Sequence, residues 1–281
     1  MDQRLATGAT ILPPACRGRL IAASATLWQR EMVRFFRQRN RVVGALATPI
    51  VFWLLLGSGL DKTFQPTGRT GDGLDIGYLE FFFPGTVVLI LLFTAIFSTI
   101  SVIEERREGF LQAVLVSPIP RMAIVLGKML GGASIATIQG ILFLLIWPLL
   151  GGFPGVLWMI AAVLAMFVLG MGLTGLGLCI AWPMDSTAGY HAVMNLFLMP
   201  MWFLSGAVFP LATAPGWLRT IMWINPLTYE YTLFAQLLGG GQSAVPAPVN
   251  MLVAAILTLL FTTLILVLAV WLVGQPRKDG T

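Results

Sequence analysis

The chain has 281 residues, of which 57% are hydrophobic and 10% charged, against the roughly 25% charged residues of a soluble domain. That balance, with a mean hydropathy of +0.87, excludes a soluble enzyme and marks an integral membrane protein. The net charge of +5, from 17 basic and 12 acidic side chains, lies beside apolar runs, so it speaks to orientation in a bilayer and not to a nucleic-acid partner.

The first 20 residues hold no continuous apolar core and are interrupted by Pro13 and Pro14, so no secretory signal peptide is visible and the first span must act as its own signal. Cys16 lies in the basic N-terminal region and Cys179 inside an apolar run; both read as free thiols, not as a disulfide or metal framework. Residues 20–41 predict an amphipathic helix. Ile21, Ala25, Trp28, Met32 and Phe35 form one stripe, and Arg30, Arg34, Arg37 and Arg41 form another nearly opposite. Such a helix suits the membrane interface, with its arginines toward anionic headgroups. A first span follows at 42–60, kinked at Pro49, then a polar loop at 61–78. The second span, 79–103, opens on Phe81, Phe82 and Phe83, with Pro84 near its first turn.

Residues 104–121, EERREGFLQAVLVSPIPR, are charged and then amphipathic. Read as a helix, Phe110, Leu111, Val114 and Leu115 gather on one face, the five charged residues at 104–108 keep the start in water, and Pro118 and Pro120 stop it beyond Ser117. A surface helix on the headgroups and a docking element for a soluble partner both fit.

The third span, 124–150, carries Lys128 near its start, where a long side chain can snorkel to the interface. It also has Gln139 near its middle, and Gly127 and Gly131 at a spacing that favours close helix approach. The fourth, 156–182, holds Gly170, Gly172 and Gly175. These match the letters of a dinucleotide fingerprint but lack its preceding strand, so small-residue packing explains them better. A polar turn at 183–191 holds Asp185 and the single histidine, His191, read as a structural polar residue. The fifth span is 192–209. Beyond it Pro210, Pro215 and Pro226 divide the chain into short apolar pieces rich in Trp and Tyr, which predict short helices dipping into the membrane. A sixth span at 251–273 and a basic tail at 274–281 complete the chain.

The expected architecture is therefore all-α. It has a cytoplasmic N-terminal region at 1–41, a six-span domain at 42–273 and a cytoplasmic tail. With six spans, fourteen Lys or Arg fall on the side of the termini and of residues 104–121, and three (Lys62, Arg69 and Arg219) on the other. That bias places both termini and the 104–121 segment in the cytoplasm.

Chemistry of its own is hard to find in this chain. The one Gly-Lys pair, Gly127-Lys128, has Met122 where a phosphate loop needs glycine and Met129 where it needs Ser or Thr. The middles of the six predicted spans carry no Asp, Glu, Lys, Arg or His, which disfavours proton coupling there. No catalytic cluster at one depth is visible either. A pore, a scaffold, or a pathway powered by another protein remain.

The chain resembles the membrane-spanning permease subunits of ABC-2 type transporters, including drug-efflux and polysaccharide or lipooligosaccharide exporters. Residues 104–128 are similar to the family's cytoplasmic coupling region through Glu105, Gly109, Leu111, Leu115, Pro118, Arg121, Gly127 and Lys128, while Phe110 and Gln112 replace the usual Thr and Glu. The runs SGAVFPL, 205–211, and NPLTY, 225–229, resemble the family's outer re-entrant region, bringing in Pro210, Asn225, Pro226 and Tyr229.

The resemblance implies a permease dimer, homodimeric as the simplest case, in a bacterial inner membrane. It would work with two ATP-binding subunits that carry ATP and Mg, this chain itself binding no cofactor or metal and hydrolysing nothing. It further implies that Glu105, Gly109, Phe110, Leu111, Val114, Leu115, Pro118 and Arg121 couple to the ATPase. Phe82, Phe83, Met199, Trp202 and Phe203 would line a path for hydrophobic or amphipathic cargo at the dimer interface. An ATP-independent channel or flippase, and a structural membrane subunit, are the competing readings.

Overall fold

The computed structural model describes residues 14–60, 77–241 and 247–275. Residues 1–13, nearly all of the predicted 61–78 loop with Lys62 and Arg69, and the tail from 276 onward lie outside the described residues. Among the described residues every regular element is helical.

In chain order these are α1 (Pro14–Arg37), α2 (Arg39–Leu60), α3 (Tyr78–Arg107), the short α4 (Phe110–Val116), α5 (Arg121–Leu144), the single turn α6 (Trp147–Leu150), α7 (Val156–Ala181) and α8 (Thr187–Trp202). A π-turn at Phe203–Ala207 and a 3-10 turn at Leu211–Thr213 follow, then α9 (Gly216–Ile224), α10 (Pro226–Leu238) and α11 (Met251–Gly274).

Five stretches are long and apolar enough to cross a membrane: Val42–Leu60, Tyr78–Arg107, Arg121–Leu150, Val156–Ala181 and Met251–Gly274. The predicted fifth span, 192–209, is instead occupied by α8, a helix of 16 residues, and the π-turn that prolongs it. Pro200 inside α8 and Gly206 at φ +92° break the regular ladder there.

α3 is the axis of the bundle. It is apolar all round, as a helix must be when neighbours surround it, and it packs against α2, α5, α7, α8 and α10. Along its middle the hydroxyls of Thr86, Thr94 and Ser98 donate within the helix to the carbonyls of Phe82, Ile90 and Ala95, while its charged residues stand at the two ends. The side-chain amide of Gln139 of α5, also buried, lies against the Thr94 hydroxyl, whose single hydrogen is shared between it and the Ile90 carbonyl.

Small residues set the approach of the other helices. A Cβ on Gly132 would lie 2.4 Å from Thr174 of α7, and one on Gly170 would lie 3.1 Å from the Ala133 backbone. The glycines of α7 thus serve helix packing, as their place in an apolar helix predicts.

α1 departs from the expected interfacial helix. Its buried side is Ser24, Leu27, Glu31 and Phe35, while Ile21 is 67% exposed. That side lies on α5, where Gly127 and Gly131 admit Leu27 and Glu31: a Cβ on either glycine would come within 2.6 and 2.7 Å of them. The glycine spacing read from the sequence is used, but its partner is the basic N-terminal helix and not another membrane span.

Candidate functional site

Residues 104–121 lie at one end of α3. Glu108 closes α3, and Gly109 at φ +78° turns the chain into α4, a conformation glycine takes without strain. Ser117 in extended conformation and Pro118 end α4, whose seven residues match the predicted stop.

The segment is fastened by charge. Glu105 is 1% exposed, contrary to the sequence expectation that the charged start of the segment stays in water. Its carboxylate accepts from Arg30 at 2.5 Å and Arg34 at 3.1 Å on one oxygen, and from Lys128 at 2.6 Å on the other. Lys128 also donates to Glu31 at 2.5 Å and to the Ser101 hydroxyl at 3.1 Å. Arg34 reaches Glu104 at 2.8 Å.

Lys128 therefore does not snorkel: at 4% exposed it is turned inward, because two carboxylates await it there. Arg30 and Arg34 likewise face α3, not headgroups. Three cations meet three carboxylates in the sheltered part of this cluster, and the exposed Glu108 lies 3.7 Å from Arg34 at its rim.

The neighbouring arginines serve helix ends. Arg106 donates to the Trp182 and Met184 carbonyls at 2.5 and 2.8 Å, and Arg107 to the Asp185 carbonyl, closing the C-terminal end of α7. Arg121 donates to the carbonyls of Val273, Gly274 and Gln275 at 2.9–3.3 Å, closing that of α11. Cations belong at these ends, where carbonyls lack helical partners. The 104–121 segment thus joins α1, α3, α5, α7 and α11 at one level.

The apolar residues of α4 divide in a way periodicity alone did not separate. Leu111 is 2% exposed and joins the core of the bundle. Phe110 lies beneath the Arg30 guanidinium, 3.4 Å from the ring centroid. Val114 is half-buried and Pro118 exposed, while Leu115 and Val116 are 37% and 87% exposed, with Gln112 and Ala113 beside them. Between α4, Arg106, Arg121 and Trp182 runs a cleft of about 140 Å³.

At the other end of α3, the residues singled out for a cargo path separate into two groups. Phe82 and Trp202 are buried together, ring centroids 5.9 Å apart, and the Trp202 indole donates to the Gly85 carbonyl at 2.8 Å. Phe83 turns away and stacks on Phe143 at 4.6 Å. Met199 is half-buried and Phe203 is 39% exposed.

NPLTY builds a helix start. The Asn225 side chain accepts from the Leu227 amide at 3.1 Å and donates to the Met201 carbonyl at 2.6 Å, Pro226 fills the first helical position, and the Tyr229 hydroxyl donates to the Trp223 carbonyl. Pro210 is buried ahead of the 3-10 turn.

Glu31, Ser101 and Lys128 were not singled out as functional from the sequence. A usable signal was present in Leu27, Glu31 and Phe35, where a carboxylate interrupts an i, i+4, i+8 apolar stripe.

A bundle of long apolar helices with a charge-locked short helix at one end defines a helical membrane protein, and among the described residues no three His, Cys, Asp or Glu gather as a metal site would need. Residues 23–238 match the ABC-2 type transporter family, and the chain belongs to that family.

Its relatives include a protein named as a transport permease, ycf38, of Cyanophora paradoxa, 28% identical over 72% of this chain and 69% of that protein. A probable multidrug ABC transporter permease, YbhR of Escherichia coli, is 31% identical over 63% of this chain and 48% of its own length. The daunorubicin resistance ABC transporter permease protein DrrB1 of Streptomyces coeruleorubidus is 24% identical over 79% and 77%. The chain is thus related to membrane permease subunits of ABC transporters, and the family works with ATP-binding subunits.

Proposed function

We propose that this chain is the permease of an ATP-driven exporter. Two copies would form the membrane pathway, each receiving force from one ATP-binding subunit through α4. The observation that carries this is the placement of α4: a short helix locked by the Glu105–Lys128 cluster to the end of the most buried helix, with Leu115 and Val116 left facing outward. A push on that surface is transmitted to α3 and α5 because the joint is ionic and packed.

In this reading α8 and the π-turn form the fifth of six crossings, both termini and α4 are cytoplasmic, α9 and α10 dip into the outer leaflet, and the membrane is a bacterial inner membrane. ATP and Mg reside in the partner. Names of relatives that refer to daunorubicin resistance and to multidrug transport support a hydrophobic or amphipathic cargo, drug-like or lipid-linked, and exposed Phe203 with half-buried Met199 suits such cargo at a dimer seam.

The test is co-purification and ATP-dependent flux. Val116→Asp with Leu115→Asp should leave the protein inserted and folded yet abolish retention of the ATP-binding subunit. Retained assembly and transport would remove α4 from the coupling role. Flux from the purified chain alone in liposomes would favour a channel or flippase, and a complex without ATP-dependent flux a structural subunit.

A further inference from the structure

The least compensated group among the described residues is Glu230, on the buried side of α10. It is 2% exposed, and neither carboxylate oxygen accepts a hydrogen bond from the protein. α10 is not among the five apolar crossing helices; it sits at the Tyr78 end of α3, where Phe81 meets Tyr231 and Tyr78 bonds the Val208 carbonyl.

Among the described residues no cation answers Glu230. α10 packs against α3, α7, α9, α11 and the π-turn. α11 and the π-turn carry no titratable side chain, and α7 carries Cys179 alone, near its opposite end. α9 carries Arg219, whose guanidinium is engaged by the Ala212 and Ala214 carbonyls. α3 presents Tyr78 and Glu80 at this end and keeps its four other charged residues at the far one. On α10 itself stand Tyr229 and Tyr231. Burial without a compensating charge pushes the Glu230 carboxyl well above the usual carboxylate range, so the packed helix favours the neutral acid.

The chain bends at glycine on both sides of α9 and α10. The segment bearing α9 and α10 is bounded by Gly206 at φ +92° in the π-turn, and by Gly240 and Gly241 at φ +65° and +92°. Positive φ at both ends places the bends where glycine turns freely. A cavity of about 30 Å³, large enough for a water, lies on the adjacent face of α10 between Phe81, Gly206, Thr228, Tyr231 and Thr232. Once α10 lifts off α3 toward the aqueous side of the interface, the carboxyl meets water, its proton passes to water, and the carboxylate cannot return to the apolar site until a proton comes back.

We propose that Glu230 is a proton latch: the protonated carboxyl permits α10 to stay packed, and its ionisation holds the 206–241 segment in an opened state. The ratio of open to packed forms then rises about tenfold per pH unit between the ordinary carboxylate range and the raised one. This goes beyond the exporter reading and does not depend on it, since opening is read without transport.

The experiment is amide exchange of residues 226–238 in the full-length protein in lipid nanodiscs, comparing wild type with Glu230→Gln at each pH so that intrinsic exchange chemistry cancels. The wild-type to variant ratio of opening should climb about tenfold per pH unit; a pH-independent ratio overturns the latch. Should Glu230→Gln fail to fold, infrared titration of Glu80→Gln, which removes the other described carboxyl at that end, decides. A protonated carboxylic band persisting above the ordinary carboxylate range supports the latch, and its absence there overturns it.

Discussion

Lys128 and Glu105 meet at 2.6 Å although one opens α5 and the other closes α3, and both are 4% exposed or less. The contact brackets α4 from both sides, so the short helix is held by its flanks more than by its own seven residues, too few to be stable in isolation.

Removing Lys128 should therefore be costly. Lys128→Met leaves Glu31 and Glu105 facing each other without the cation between them, and a broken buried pair loses about 3–5 kcal/mol. In Glu31→Gln with Lys128→Met, Glu105 keeps Arg30 and Arg34, so the double variant should regain much of that loss. Thermal unfolding of wild type, both single variants and the double variant in detergent measures it; additive losses would dissolve the cluster as a unit.

The two faces of α4 should respond differently. Leu111→Ala empties a site 2% exposed in the core and should cost about 2–5 kcal/mol of stability. Val116→Asp, at 87% exposed, should change stability by no more than about 0.5 kcal/mol while weakening capture of an ATP-binding subunit. Equal melting temperatures for the two variants would contradict the division.

The sequence alone places most of the apolar helices, because long apolar runs have few alternatives, and it finds the end of α4 because Pro118 and Pro120 stop it, while the turn at Gly109 that separates α4 from α3 is seen only in the structure. What it misses is direction. A stripe of Phe110, Leu111, Val114 and Leu115 does not say that Leu111 turns to its own bundle and Leu115 away. Arginines on α1 look like headgroup contacts until Glu105, 75 residues from Arg30, is seen to occupy them. Long-range charge pairing leaves no local period. The fifth predicted span suffers in a different way: Pro200 and Gly206 interrupt a run whose composition still reads as membrane.

The seat of α1 on α5 predicts a contrast between glycines. Gly131→Ala would set a Cβ 2.7 Å from that of Glu31, and overpacking of this kind costs about 1–3 kcal/mol. Gly44, with nothing within 4 Å of a built Cβ, should accept alanine and gain up to about 1 kcal/mol of helix propensity. Trypsin cleavage at Arg30 and Arg34 reads whether α1 has left its seat: it should accelerate in Gly131→Ala and stay unchanged in Gly44→Ala.

Asn225 does two jobs that substitution can separate. Its oxygen caps α10 through the Leu227 amide, and its nitrogen serves the Met201 carbonyl, tying α10 to the end of α8. Asn225→Ser keeps an acceptor for the cap but leaves Met201 unserved, so it should lose about 1–3 kcal/mol from the orphaned carbonyl. Asn225→Ala should lose about 1 kcal/mol more with the cap. Asn225→Asp retains the cap yet sets a carboxylate against a carbonyl at a site 7% exposed, and should be the least stable of the three at neutral pH. It should recover as acid supplies a proton that can donate to Met201. Melting temperatures of the series at neutral and acidic pH test the order. An Asn225→Asp variant as stable as Asn225→Ser at neutral pH would mean that the bond to Met201 carries no weight in holding α10.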